Sequence, residues 1–127
     1  MPIRLEYKIH KEYLEVVFLG KRNDADELAE SINAWTEIAT KCEENGFEKV
    51  LIISKLNRRL KTANAFAFAE AFKTIGWKPN YKLAGVVNDE ELFQQHKLLV
   101  TFINNFGYEC KGFNKIKDAK KWLLSDS

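Results

Sequence analysis

The sequence has little of what staples, breaks or anchors a chain. Its 127 residues include two cysteines, two prolines and two histidines. Cys42 and Cys110 stand far apart and no CxxC occurs, so a zinc site would have to use every Cys and His present, His10 and His96 included. No metal centre is expected. No apolar run approaches the ~20 residues of a membrane span, so no crossing is expected. Met1-Pro2-Ile3-Arg4-Leu5-Glu6 alternates apolar and charged residues without a continuous apolar region, so no signal peptide is expected either. Charge of one sign is also scarce: twenty Lys plus Arg against eighteen Asp plus Glu leave +2. That is too little for the whole protein to be drawn to nucleic acid or anionic lipid. No Ser/His/Asp signature, nucleophile elbow or glycine-rich phosphate loop is present, and neither enzymatic activity nor a cofactor is expected.

What remains is the composition of an ordinary globule, 46% hydrophobic and 30% charged, of a length that fits one domain over residues 1–127. Ile3, Leu5, Tyr7 and Ile9 alternate with polar neighbours, and Leu14, Val16 and Phe18 repeat the pattern, which predicts an antiparallel hairpin. Asp24-Ala25-Asp26-Glu27 reads as a capping box opening a helix whose apolar stripe runs from Leu28 through Trp35 to Cys42, with Gly46 as its stop. Val50-Leu51-Ile52-Ile53 is apolar throughout, as a strand covered on both faces would be. A polar link leads to a second helix over 62–75, and Lys78-Pro79-Asn80-Tyr81 reads as a turn. Leu83-Ala84-Gly85-Val86-Val87 is another buried strand. A third helix begins near Asn88 or Asp89 and ends at Gly107, and a last strand over 108–113 and a closing helix follow. The order β-β-α-β-α-β-α-β-α predicts an α/β domain with a five-stranded mixed sheet.

This order of elements, at this length, resembles the STAS domain (sulfate transporter and anti-sigma factor antagonist). The similarity is closest to its SpoIIAA-like branch, a fold relative of the CRAL-TRIO lipid-transfer domains. The residues that carry it are the apolar strand from Val50 to Ile53, the Leu83-to-Val87 strand after Gly76, and the ending from Gly112-Phe113 through Ala119 to Trp122-Leu123. The resemblance implies a non-catalytic interaction or regulatory module; the two separate thiols and the lack of a signal peptide make the cytoplasm the expected location. It departs at one place: the Asp-Ser-Ser/Thr-Gly turn that is phosphorylated in regulatory relatives is missing. Ser54 and Thr62 are the nearest hydroxyls, and neither matches the motif.

Two groups of residues are candidates for binding. Lys55, Arg58, Arg59 and Lys61, with Thr62 at the start of the second helix, follow a parallel strand and could hold an anion or an acidic partner. The plain alternative is a solvated loop. Four cations are too few for nucleic acid, which is not expected as a partner. Phe66, Phe68, Phe72 and Trp77, with His96 on the apolar stripe of the third helix, could line a pocket for a small lipophilic or anionic ligand. Their plain reading is core packing around a structural histidine. The partner is otherwise open, whether an unidentified protein or a second copy pairing through an edge strand.

Overall fold

The computed structural model describes residues 3–21, 25–56 and 60–125. Its elements run in the expected order: strands β1 (Arg4–Ile9) and β2 (Leu14–Leu19), helix α1 (Glu27–Asn45), β3 (Lys49–Ser54), α2 (Thr62–Ala71), β4 (Lys82–Val86), α3 (Glu90–Asn105), β5 (Glu109–Phe113) and α4 (Ile116–Leu123). The hairpin closes with the His10 N–H donating to the Tyr13 carbonyl at 3.0 Å, and pairs Arg4 with Leu19 through Ile9 with Leu14. The β2–β3, β3–β4 and β4–β5 pairs are parallel, so the five-stranded sheet is antiparallel at one edge and parallel beyond it.

The strands lie side by side in the order β1-β2-β3-β4-β5. Right-handed crossovers that always step in one direction must lay their helices on one face. Accordingly α1, α2 and α3 share the face of Leu14, Val16, Val50, Ile52 and Leu83. Helix α4 takes the other face, where Ala119 and Leu123 pack on Leu51, Ile53, Ala84 and Val86. This explains the unbroken apolar runs: Val50 to Ile53 and the whole of β4 are buried because helices cover both sides.

One local expectation is corrected. Helix α2 ends at Ala71, not Ile75. From Phe72 the amides turn to carbonyls three residues back, with Phe72 on Ala69, Lys73 on Glu70 and Thr74 on Ala71. The chain tightens there, which lets Phe72 and Ile75 stay buried without a further regular turn. The capping-box expectation rests on Asp24, which lies outside the described residues; the residue before α1 is Asp26, with no side-chain cap bond, and the Glu27 carboxylate accepts from the start of α2. Other boundary signals hold. Gly46 takes the left-handed conformation (φ 73°), Tyr81 N–H closes its turn on Lys78, and Asp89 caps α3 by accepting from Leu92 N–H at 3.0 Å.

Candidate functional site

Because the parallel strands all point one way, α1, α2 and α3 all begin at the same rim of the sheet, beside the carboxyl ends of the strands. A partly open cavity of about 70 Å³ lies there. Its floor and rear wall are Phe18, Ile52 and Ser54 at the ends of β2 and β3, with Val87 just past β4. Ser31 and Trp35 of α1 close one side, and Ala65 and Phe68 of α2 another. Helix α3 supplies the roof through Leu92, Gln95, His96, Leu98 and Leu99, and Leu56 and Leu60 flank the approach to α2. Polar residues line this apolar space from three elements: Ser31 of α1, Ser54 of β3, and Gln95 and His96 of α3.

Next to the cavity, two strands have no side chains beneath α3, and His96 occupies that room. Gly85 of β4 and Gly112 of β5 are register partners. A Cβ built on Gly85 would lie 3.1 Å from His96 Nε2, and one on Gly112 would lie 3.5 Å from His96 Cδ2. The imidazole therefore rests across two bare backbone positions that any larger residue would close. Helix α3 anchors to the layer at its far end, where Ile103 is buried, while Leu92, Phe93, His96, Leu99 and Val100 are only partly covered.

Beside this rim, Glu27 is 1% exposed. Its Oε2 accepts from the Lys61 backbone N–H at 2.9 Å and from Asn64 Nδ2 at 2.7 Å. A carboxylate of α1 thus takes the amide that opens α2, where a helix terminus would otherwise favour an external anion. Lys55, Lys61 and Thr62 are exposed, while Arg58 and Arg59 lie outside the described residues. The strand order contains no reversal, so the topological switch point that creates the usual crevice of open α/β sheets is missing.

The five candidates for an apolar pocket are separated. Phe68 and His96 line the cavity. Phe72 and Trp77 belong instead to the aromatic cluster around Trp35, whose ring centroid lies 5.4 Å from each of theirs. Phe66 is 49% exposed and meets Phe102 and Phe106 across the α2–α3 seam. Sequence reasoning missed Ser31, Trp35, Gln95 and the glycine pair. A glycine inside each of two strand patterns was the available signal for a close approach.

The two cysteines are free and buried. Burial pushes the Cys42 thiol up to about 11 and the Cys110 thiol up to about 12. Neither is a thiolate near neutral pH, and only the thiolate is strongly nucleophilic. Among the described residues no group of three or more His, Cys, Asp or Glu could hold a metal ion, and no helix is long and apolar enough to cross a membrane. No family model matches the chain, and no curated protein matches its sequence.

Proposed function

We propose that this chain is a non-catalytic binding module of the SpoIIAA-like STAS kind, and that the cavity at the strand carboxyl ends takes the apolar part of a small molecule. The observation that carries this reading is the cavity itself: walls of Phe18, Trp35, Phe68 and Leu99, with a few polar residues among the lining from three elements. That combination is the usual composition of a small-ligand site. Its size limits the ligand. About 70 Å³ is near half of the roughly 150 Å³ apolar cavity that admits benzene, so only a few non-hydrogen atoms are enclosed and the rest of the molecule faces the mouth at Leu98. The two protonated, buried thiols favour binding over covalent chemistry, and free thiols suit a reducing compartment such as the cytoplasm.

Native mass spectrometry of the protein as purified from cells tests the reading, paired with xenon titration observed at the methyl groups of Ile52, Leu60 and Leu99. The expected result is a non-covalent small-molecule mass and xenon shifts confined to those methyls, both lost in Ala65→Leu. A clean protein mass together with no xenon response would refute it.

A second reading, a protein-interaction surface, draws on the exposed Phe66 ring beside Phe102 and Phe106. It predicts self-association in analytical ultracentrifugation that Phe66→Ser abolishes. A wild-type monomer at high concentration removes the version in which the partner is a second copy.

A further inference from the structure

We propose that β1 is an interface: its outer edge pairs antiparallel with β1 of a second copy, about a two-fold axis through Tyr7. The proposal is independent of the cavity and of any ligand.

The backbone of β1 sets which residues can pair outward. The strand stands first in the sheet order, with β2 on one side and no strand on the other among the described residues. The His10 N–H donates to the Tyr13 carbonyl across the hairpin, so His10 faces β2. Facing alternates along an antiparallel strand. Arg4, Glu6 and Lys8 therefore turn their amides and carbonyls to β2, and Leu5, Tyr7 and Ile9 turn theirs to the open edge. An unpaired row of this kind is a template for another strand.

The side chains then choose the partner and the register. Arg4, Glu6 and Lys8 are exposed on one face of β1, and Ile9 is 66% exposed on the other. The charges alternate in sign along their face, which makes the strand complementary to a copy of itself. A ladder forms only where outward residues of the two strands oppose each other. Centred on Glu6, it sets Glu6 against Glu6 and Arg4 against Lys8, all like charges. Centred on Leu5, it pairs Arg4 with Glu6 but carries Ile9 past the end of the second strand. Centred on Tyr7, it sets Glu6 against Lys8 on both sides of the axis, and Leu5 against Ile9. Leu5 lines an open groove between β1 and α1, together with Ile3 and Ala34. The register centred on Tyr7 thus brings Ile9 of the second copy to an apolar ledge and covers a side chain otherwise left in water. Lys8 by itself would guard the edge against pairing, but Glu6 of the second copy supplies its countercharge. A single strand pair is smaller than a standard interface of roughly 1,600 Å², so the dimer is expected to form reversibly.

Sedimentation equilibrium of the full chain, up to about 1 mM, tests the proposal. The wild-type protein should pass from monomer to dimer, and exchange of the Leu5, Tyr7 and Ile9 amides should slow as it does. Glu6→Lys alone and Lys8→Glu alone each oppose like charges across the axis and should weaken the dimer about tenfold. Mixed in equal amounts, the two variants should associate about as tightly as wild type, because each Lys then meets a Glu. Ile9→Pro removes an outward N–H and keeps the ladder to β2. It should abolish the dimer, and it decides the matter if Lys8→Glu is unstable beside Glu15, its neighbour on β2. Phe66→Ser, on the α2–α3 seam, should leave the dimer unchanged. A monomer at every concentration overturns the proposal. So does a dimer that survives Ile9→Pro, that is lost in Phe66→Ser, or whose charge variants associate no better mixed than apart. None of these outcomes bears on the cavity, which the xenon titration judges separately.

Discussion

The helical layer over the sheet is packed in two different ways along its length. Toward the amino ends of the parallel strands, Phe72 is wholly buried and its ring meets those of Trp35, Phe68, Trp77 and Tyr108 at centroid distances of 5.2 to 5.6 Å. Toward the carboxyl ends, α3 lies over two glycines with half-covered side chains and leaves a cavity. Both regions are built from the same helices and the same sheet. The difference lies in which positions carry large side chains: one end is closely packed, and the other keeps the space that the proposed binding function would use.

Substitutions at four positions break or sharpen this contrast. Phe72→Ala removes the centre of the aromatic cluster and should cost about 3–5 kcal/mol, read as a lowered urea midpoint. A cost no larger than that of a cavity-lining substitution would erase the distinction between the two ends. Glu27→Ala leaves the Lys61 N–H and the Asn64 amide without their acceptor, and should cost about 1–3 kcal/mol. Glu27→Gln keeps an oxygen there and should cost less. The comparison also extends across the sheet. On the opposite face Lys82, 6% exposed, donates from Nζ to the Trp122 carbonyl at 2.7 Å and to the Ser125 carbonyl at 3.0 Å. A cation on the last carbonyls of α4 serves as its cap. Lys82→Met should cost about 1–2 kcal/mol and speed hydrogen exchange in α4 before the rest of the protein. The smallest effect is expected for Ala65→Leu at the cavity wall, which should raise stability by about 0.5–1 kcal/mol by filling empty space. A clear loss of stability there would mean that the cavity is already fully packed.

The fold was legible in the sequence where its causes are local or periodic. A short unbroken apolar run of β-branched and leucine side chains suits a strand covered on both sides, and Val50 to Ile53 is one. The stop at Gly46 and the cap at Asp89 depend on residues within a few positions of each other. The end of α2 was not legible because Phe72 and Ile75 continue its apolar stripe, and the stripe does not record that the backbone tightens under them. Glu27 shows the limit most directly. Its spacing from Asp24 fits a capping box, and nothing local records that its carboxylate also accepts from donors 34 and 37 residues further along the chain. The seat of His96 lies beyond reach for a related reason: it depends on Gly85 and Gly112 falling in register across two strands. Of the pocket candidates, Phe68 and His96 came together at one place, while the exposed Phe66 points to the seam with α3.

The monotonic strand order has a consequence for how the protein is made. Each new strand joins the one completed just before it, so no segment has to wait for a partner that the ribosome has yet to synthesise. Pairings of this kind keep contacting residues near one another along the chain, which favours rapid folding. The growing sheet can therefore be extended strand by strand during translation, with α4 laid across its back last.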